Sequence, residues 1–233
     1  MRYHAVIFDL FATLVDFSPR AHDQTLLTMA STLAFPHAAF ASLWPQVLSL
    51  QEQGHHQTVE DSLAYVCQVL NVQADDALIA QEARLYLDFQ RGTLMTPRKQ
   101  AIETLEHLRA AGYKTGLISN CPAVVKFVWP ETSLASLIDG AVFSHEVDLR
   151  KPDPRIYQAA CDRLGVAPHD CLYVGDGGGR ELSGAMQVGM HAVLLRVPDE
   201  DVEDAQRLGR EMWQGTTIST LHEVLLLTGG EAA

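Results

Sequence analysis

The sequence is short of basic residues. Its 233 residues include 17 Lys and Arg against 29 Asp and Glu, so the formal net charge is −12 at pH 7. Nucleic acids and anionic membranes bind proteins largely through clustered Lys and Arg, which neutralise phosphate charge. The acidic balance therefore argues against both, and we expect neither nucleic acid nor membrane among the partners.

Cysteine is also scarce, and the four cysteines show no C-x-x-C pairing. Scattered thiols in a chain of this length are typical of ordinary buried side chains rather than of a disulfide framework or a zinc site. No apolar run approaches the ~18 residues that a membrane-spanning helix needs. The first residues show no secretory signal pattern, so we expect a cytoplasmic protein.

What the sequence does contain is an alternation of apolar runs and helix-period segments. The apolar runs are typical of buried strands and lie at His4–Asp9, Lys114–Asn120, Ala141–His145, Cys171–Asp176 and His191–Arg196. The helix-period segments lie at Pro97–Ala111, Pro154–Leu164, Arg180–Val188 and Leu221–Leu227. This order predicts an α/β fold with a doubly wound parallel sheet, whose ligands bind at the carboxyl ends of the strands.

Residues 17–92 break the alternation. They carry apolar positions at helical spacing and no strand-like run, so we interpret them as an all-helical insertion between the first strand and its crossover helix. The predicted domains are a catalytic core, residues 1–16 and 93–233, and a helical cap, residues 17–92. A cap inserted at this point would lie above the strand ends, where a lid can close over a ligand.

Polar residues follow the predicted strands. Asp9 ends the first, Ser119 and Asn120 end the second, Lys151 follows the third and Asp176 ends the fourth. Buried carboxylates need a positive partner, and two of them predict a bound cation, for which Mg²⁺ with its oxygen ligands is the natural choice. The lysine would add a fixed positive charge, and the Ser-Asn pair would donate hydrogen bonds to a reacting group.

Several motifs, in this order, resemble those of the haloacid dehalogenase superfamily over the whole chain. They are FD-x-x-x-T-L-x-D at Phe8–Asp16, the helical insertion after it, S-N at Ser119–Asn120, K-P-D at Lys151–Asp153 and V-G-D-G…E-L-x-G-A-x-x-x-G at Val174–Gly189. The resemblance implies a Rossmann-like core with a helical cap of the dehalogenase type. It also implies a hydrolase that forms a covalent intermediate on an aspartate.

The same resemblance implies a role for each matching residue. Asp9 is the nucleophile, Thr13 supports its loop, Ser119 and Asn120 hold the transferred group, and Lys151 orients and neutralises it.

The resemblance implies a Mg²⁺ site as well. Its ligands would be Asp9, the backbone carbonyl of Phe11, Asp176 and Glu181, the last acting directly or through water. Glu181 also fits an ordinary carboxylate in the first turn of a helix, where the helix dipole favours negative charge.

The chain departs from the phosphatases of this superfamily at Phe11. In those phosphatases, the second residue after the nucleophile is an Asp that protonates the leaving group. Loss of such an acid costs about 10²- to 10⁴-fold in rate. An aromatic residue at this position, with the Ser-Asn pair and Lys151, is similar to the metal-independent 2-haloacid dehalogenases. Those enzymes carry neutral residues where this chain has Asp176 and Glu181.

Three functions therefore stay open. The acidic pair favours Mg²⁺-dependent, phosphatase-type hydrolysis of a small phosphorylated metabolite; Phe11 favours metal-independent dehalogenation of a 2-haloacid. The third is a catalytically weak binding or regulatory member, suggested by the missing acid and by Ala12, which stands where the family usually has Gly and would be strained at a positive φ.

The expected substrate is a small anion. Because the chain is acidic overall, its positive potential must be local, and it would come from Lys151, the metal and Arg20, which is the candidate in the cap for binding the substrate's anionic group. Phe11, Ser119 and Asn120 complete the predicted substrate contacts. A homodimer is left open as the oligomeric state.

Overall fold

A six-stranded parallel sheet forms the centre of the molecule, which is a computed structural model describing residues 3–198 and 212–229. The strands are β1 (Ala5–Phe8), β2 (Lys114–Ser119), β3 (Gly140–Phe143), β4 (Cys171–Gly175), β5 (His191–Leu195) and β6 (Thr217–Ile218). Their order is β3-β2-β1-β4-β5-β6, and every neighbouring pair is parallel. The doubly wound α/β fold is confirmed, whereas β6 was not predicted because two residues are too few to show a strand pattern.

The described helices flank this sheet or belong to the insertion. They are α1 (Pro19–Thr32), α2 (His37–Glu52), α3 (Val59–Leu70), α4 (Asp76–Leu94), α5 (Ala101–Ala110), α6 (Val124–Val128), α7 (Ser144–Val147), α8 (Pro154–Leu164), α9 (Glu181–Gln187) and α10 (Glu223–Thr228). Helix α8 has the predicted bounds, with Asp153 as its N-cap and Gly165 in the left-handed conformation at its C-cap. Helix α5 begins four residues later than predicted, because Pro97 pairs with Val15 in an extended bridge.

The first strand is buried on both faces. Val6 and Phe8 face a hydrophobic cluster that includes residues of α5, while Ala5 and Ile7 face a second cluster that includes residues of α8. All four strand residues are fully buried, as expected for the central strand of a sheet covered by helices on both sides.

Helices α1 to α4 enclose a third hydrophobic cluster of their own. Its fully or almost fully buried members include Met29, Phe40, Trp44, Leu63 and Tyr86. Helix α4 continues past residue 92 and ends at Leu94. The division into a core and a cap at residues 17–92 stays a prediction.

The two segments that connect the insertion to the sheet lie side by side. The backbone N–H of Arg98 donates to the Leu14 carbonyl at 2.8 Å. Its guanidinium donates to the Ala12 carbonyl at 3.0 Å and pairs with Asp16 at 3.2 Å. Arg98 thus ties the segment that leaves the insertion to the one that enters it.

Within the described ranges, no single helix has the length and apolarity needed to cross a bilayer. Helices α1 and α2 meet that test only as a pair, and they are bent by 120° relative to each other.

The packing around Gly116 generates a stability prediction. A Cβ at this position in β2 would lie 2.8 Å from Leu164 Cδ1 and 3.0 Å from Ile7 Cγ1, so Gly116→Ala should overpack the core and lower the free energy of unfolding by about 1–3 kcal/mol. Gly92→Ala is the matched control, because a Cβ there meets nothing within 4 Å and Ala favours a helix by about 0.5–1 kcal/mol. Urea denaturation measures both, and an unchanged value for Gly116→Ala would show that Leu164 moves aside at no cost.

Candidate active site

Three strand ends meet around Asp9. Asp9 directly follows β1, which lies between β2 and β4 in the sheet. Ser119 is the last residue of β2, and Asp176 directly follows β4. Asp9 and Asp176 are each 6% exposed and Ser119 is fully buried. The parallel arrangement thus places these side chains at one edge of the sheet, where α/β folds bind their ligands.

The carboxylates of Asp9, Asp176 and Glu181 form one buried cluster. Each contributes an oxygen that lies within 4.8 Å of the other two. Lys151 inserts its ammonium group into this cluster, with Nζ 2.5 Å from Asp9 Oδ1 and 2.6 Å from Glu181 Oε2. The lysine side chain is only 4% exposed, so these ion pairs are shielded from water.

The fold holds Lys151 at both its backbone and its ammonium group. The backbone N–H of Lys151 donates to Asn120 Oδ1 at 2.9 Å, and Asn120 Nδ2 donates to the Lys151 carbonyl at 3.3 Å. The ammonium group also donates to the Ile118 carbonyl at 3.2 Å and to the Tyr173 hydroxyl at 3.3 Å. The structure therefore places the side-chain amide of Asn120 against the lysine backbone.

Both carboxylate oxygens of Glu181 accept hydrogen bonds from other residues of the chain. Tyr173 donates its hydroxyl to Oε2 at 2.8 Å, and the Gly177 N–H donates to Oε1 at 3.0 Å. Gly175 permits this approach, because a Cβ at that position would collide with the Glu181 carboxylate. The Gly178 N–H donates to Asp176 Oδ1 at 3.0 Å, so the glycine-rich turn after β4 serves both acids.

Burial and mutual repulsion shift the ionisation of this cluster. Burial raises the pKa of Glu181 to about 8, although Lys151 opposes the shift, and the neighbouring Asp9 and Asp176 add to it. Burial likewise raises the pKa of Asp9, against the effect of Lys151. Burial alone would lower the pKa of Lys151, but Asp9 and Glu181 raise it well above its usual range. The lysine is thus charged at neutral pH.

The donor set fits a divalent cation. Three clustered carboxylates face one ammonium group, so the buried site carries more negative than positive charge when all are ionised. Hard oxygen ligands of this kind suit Mg²⁺, and an uncompensated buried carboxylate is costly.

The remaining predicted residues differ in burial and contacts. Thr13 and Ser119 have buried hydroxyl oxygens that meet no hydrogen-bond partner among the described residues. Phe11 is half-buried, and its ring packs edge-on against Phe17 at 6.3 Å between centroids. Arg20 lies in the first turn of α1 and is exposed. Its proposed contact with the substrate stays a prediction.

A family model described as haloacid dehalogenase-like hydrolase matches residues 3–189, which is most of the chain. The chain belongs to this family.

Relatives within the family catalyse different reactions. (S)-2-haloacid dehalogenase 4A of Burkholderia cepacia is 26% identical over 82% of this chain and 82% of its own length. Phosphoglycolate phosphatase of Xanthomonas campestris pv. campestris is 30% identical over 86% of this chain and 89% of its own length. A HAD phosphatase from Thermococcus onnurineus has the same fold, with a TM-score of 0.67, 23% identity and coverage of 98% of this chain and 99% of that one. These relatives therefore include both 2-haloacid dehalogenases and phosphatases.

Two arginines of this haloacid dehalogenase-like hydrolase were not identified from the sequence. Arg98 contacts the Asp9 loop, as described above. Arg150, next to Lys151, pairs with Glu52 at 2.6 Å and donates to Ser49 Oγ at 2.7 Å, which joins the lysine loop to α2. Neither residue stands in a motif, and both find their partners far away in the sequence, so the chain carries no local signal for them.

A cavity of about 300 Å³ lies where the insertion meets the loop after β2. Gln51, Thr58 and Leu87 contribute to one wall, and Pro122 and Phe127 contribute to the other. Residues of the acidic cluster do not line this cavity.

The predicted strain at Ala12 is present. Its φ is 58°, in the left-handed region that favours glycine, and the turn is closed by N–H donors of Thr13, Leu14 and Val15 that converge on the Leu10 carbonyl.

Ala12→Gly should relieve this strain and raise the free energy of unfolding by about 0.5–1 kcal/mol, the loss of left-handed strain exceeding the extra chain entropy of glycine. Ala34→Gly is the matched control, because Ala34 has φ 55° in the loop after α1, away from Asp9. Chemical denaturation should show a similar gain for both variants. A loss of stability in Ala12→Gly would contradict the strained conformation.

Proposed function

We propose that this hydrolase is a phosphatase-type enzyme that acts on a small phosphorylated metabolite, with Mg²⁺ as its cofactor. The observation that carries the proposal is the clustering of three buried carboxyl groups, those of Asp9, Asp176 and Glu181, around a single ammonium group, that of Lys151. A phosphoryl group is itself anionic and would not approach such a cluster unless a further positive charge were bound there.

Asp9, the Phe11 carbonyl and Asp176 would hold the metal. Glu181 has both oxygens engaged by donors of this chain, so it would support the site through Lys151 or through water. When bound, Mg²⁺ neutralises the carboxylates and the phosphoryl oxygens.

The chain's own residues would then carry the reaction in two steps. Asp9 attacks phosphorus while the bond from phosphorus to the leaving oxygen breaks, which forms an aspartyl phosphate. Lys151 binds Asp9 Oδ1, which leaves Oδ2 as the attacking oxygen. The buried hydroxyls of Thr13 and Ser119 have no partner in the described structure and are suited to donate to phosphoryl oxygens. Water then hydrolyses the acyl phosphate and regenerates Asp9.

The leaving group receives no proton from residue 11. Phe11 is packed against Phe17 and has no acidic group, so substrates whose leaving group needs little protonation should react best. Acyl and aryl phosphates meet this condition, whereas simple alkyl phosphates do not.

A second candidate is dehalogenation of a 2-haloacid without metal. It is favoured by the aromatic Phe11 and by the direct contact of Lys151 with both Asp9 and Glu181. It is also favoured by the similarity to the Burkholderia cepacia dehalogenase. Asp9 would attack the carbon that bears the halogen and expel halide, which needs no general acid.

Activity with and without metal distinguishes the two candidates. We expect chelator-treated protein to hydrolyse p-nitrophenyl phosphate only after Mg²⁺ is added, and Asp9→Asn to be inactive, because the nucleophile is lost. The same preparations are tested for halide release from 2-chloropropionate. Halide release without metal, and no phosphatase activity with it, would replace the first proposal by the second.

Substitution at Phe11 tests the missing acid. Phe11→Asp should raise kcat for an alkyl phosphate by at least about tenfold, because it supplies a proton donor, and should change p-nitrophenyl phosphate hydrolysis less. Phe11→Asn is the control, because Asn is similar in size to Asp but has no acidic proton. If the natural protein is inert towards all phosphates with Mg²⁺ and only Phe11→Asp is active, the chain is a catalytically weak member of the family.

A further inference from the structure

Tyr173 places a hydroxyl group inside the charged cluster, although it lies in the middle of the apolar strand β4. The residue is fully buried. Its hydroxyl accepts from Lys151 Nζ at 3.3 Å and donates to Glu181 Oε2 at 2.8 Å. Both hydrogen-bonding functions of the hydroxyl are thus used by charged groups, which is the condition under which a buried hydroxyl is not costly.

Lys151, Tyr173 and Glu181 form a closed triangle of hydrogen bonds. The third side is the 2.6 Å contact between Lys151 Nζ and Glu181 Oε2. A lysine head group sits on a flexible four-carbon stem, so its direction must be set by its partners. Two contacts of the ammonium lie on the side of β4 and α9, and a third, at 3.2 Å, is to the Ile118 carbonyl in β2. Its shortest contact, at 2.5 Å, is to Asp9 Oδ1.

We propose that Tyr173 is a positioning residue that directs the Lys151 ammonium at Asp9 through Glu181. The inference rests on the proposed use of Asp9 as nucleophile and holds whether phosphorus or carbon is attacked. Tyr173 has no assigned contact with substrate. Its effect reaches the reaction through the lysine that holds one oxygen of Asp9 and leaves the other to react.

Tyr157 supplies a matched control within the same packing layer. It is also fully buried, and its ring packs edge-on against that of Tyr173 at 5.7 Å between centroids. Its hydroxyl donates to the backbone carbonyl of Glu181 at 2.9 Å rather than to the side chain. Tyr157→Phe therefore removes one buried hydroxyl beside the same residue without touching the Lys151 triangle.

Kinetics of the two phenylalanine variants provide the first test. A hydrogen bond to a charged group is worth enough that Tyr173→Phe should lower kcat by about 10- to 100-fold, with KM changed less than about threefold. Tyr157→Phe should stay near the wild-type kcat. Equal losses in both variants, or no loss in Tyr173→Phe, would overturn the proposal; thermal melting of each variant checks that the fold is kept.

A double variant tests whether the effect passes through Glu181. Glu181→Gln alone should lower kcat, and adding Tyr173→Phe should lower it little further, because the acceptor that Tyr173 positions has already lost its charge. Effects that multiply fully would contradict a role of Tyr173 that passes through Glu181.

Lysine NMR gives a readout that does not depend on turnover. The chain has four lysines, all in the described residues, and Lys151 is the buried one. In protein labelled with ¹⁵N-lysine, the Lys151 Nζ signal should shift in Tyr173→Phe and stay in place in Tyr157→Phe. An unmoved signal in Tyr173→Phe overturns the inference. If the wild-type protein hydrolyses neither substrate class, the proposed function fails, yet the NMR comparison still decides the role of Tyr173.

Discussion

The ion pairs of Lys151 with Asp9 and Glu181 are the interaction on which the candidate site depends. Asp9 follows the central strand, Glu181 begins α9, and both carboxylates are buried. Burial raises the pKa of each carboxyl group, and the Lys151 ammonium opposes both shifts. Asn120 holds the backbone of Lys151 by a hydrogen bond. Gly175 has no side chain, so the Glu181 carboxylate can approach β4.

Under the proposed function, the same cluster bears on which of the two chemistries named for the relatives this chain performs. Glu181 accepts hydrogen bonds from Lys151, Tyr173 and the Gly177 N–H, so its carboxylate is held by residues of the chain. Under the proposed function, Asp9 must be ionised in either reaction. Asp176 is the third carboxylate of the cluster, and we propose that dependence on a metal turns on this residue. A neutral side chain at that position would make the charge of the site suit an enzyme without metal.

Much of this arrangement follows from local sequence, and the part that does not has a common physical reason. The apolar run before Asp9 and the parallel sheet rule place Asp9, Ser119 and Asp176 at one edge, because the carboxyl ends of neighbouring parallel strands meet. Tyr173 could not be assigned in this way. A tyrosine within a buried strand is equally compatible with packing, and only the structure shows a lysine and a glutamate at its hydroxyl.

Other differences between prediction and structure also arise from contacts between residues far apart in the sequence. Residues 97–100 were predicted to be helical from their pattern, but Pro97 pairs with Val15, and a long-range pairing overrides local propensity. The contacts of Arg98 and Arg150 likewise join residues far apart in sequence, which a single sequence does not reveal.

The tie at Arg98 has a consequence for how the insertion can vary. Its hydrogen bonds to Leu14 and Ala12 and its pairing with Asp16 hold the two ends of the insertion together from the side of the sheet. The free energy of closing a loop depends only weakly on its length, about 0.6 kcal/mol for each doubling, once its ends are adjacent. The two ends of the insertion therefore already meet at the sheet, so a longer insertion should add little closure entropy at the strand that ends before Asp9. Its helix α2 is constrained separately, by the contacts of Arg150 with Ser49 and Glu52.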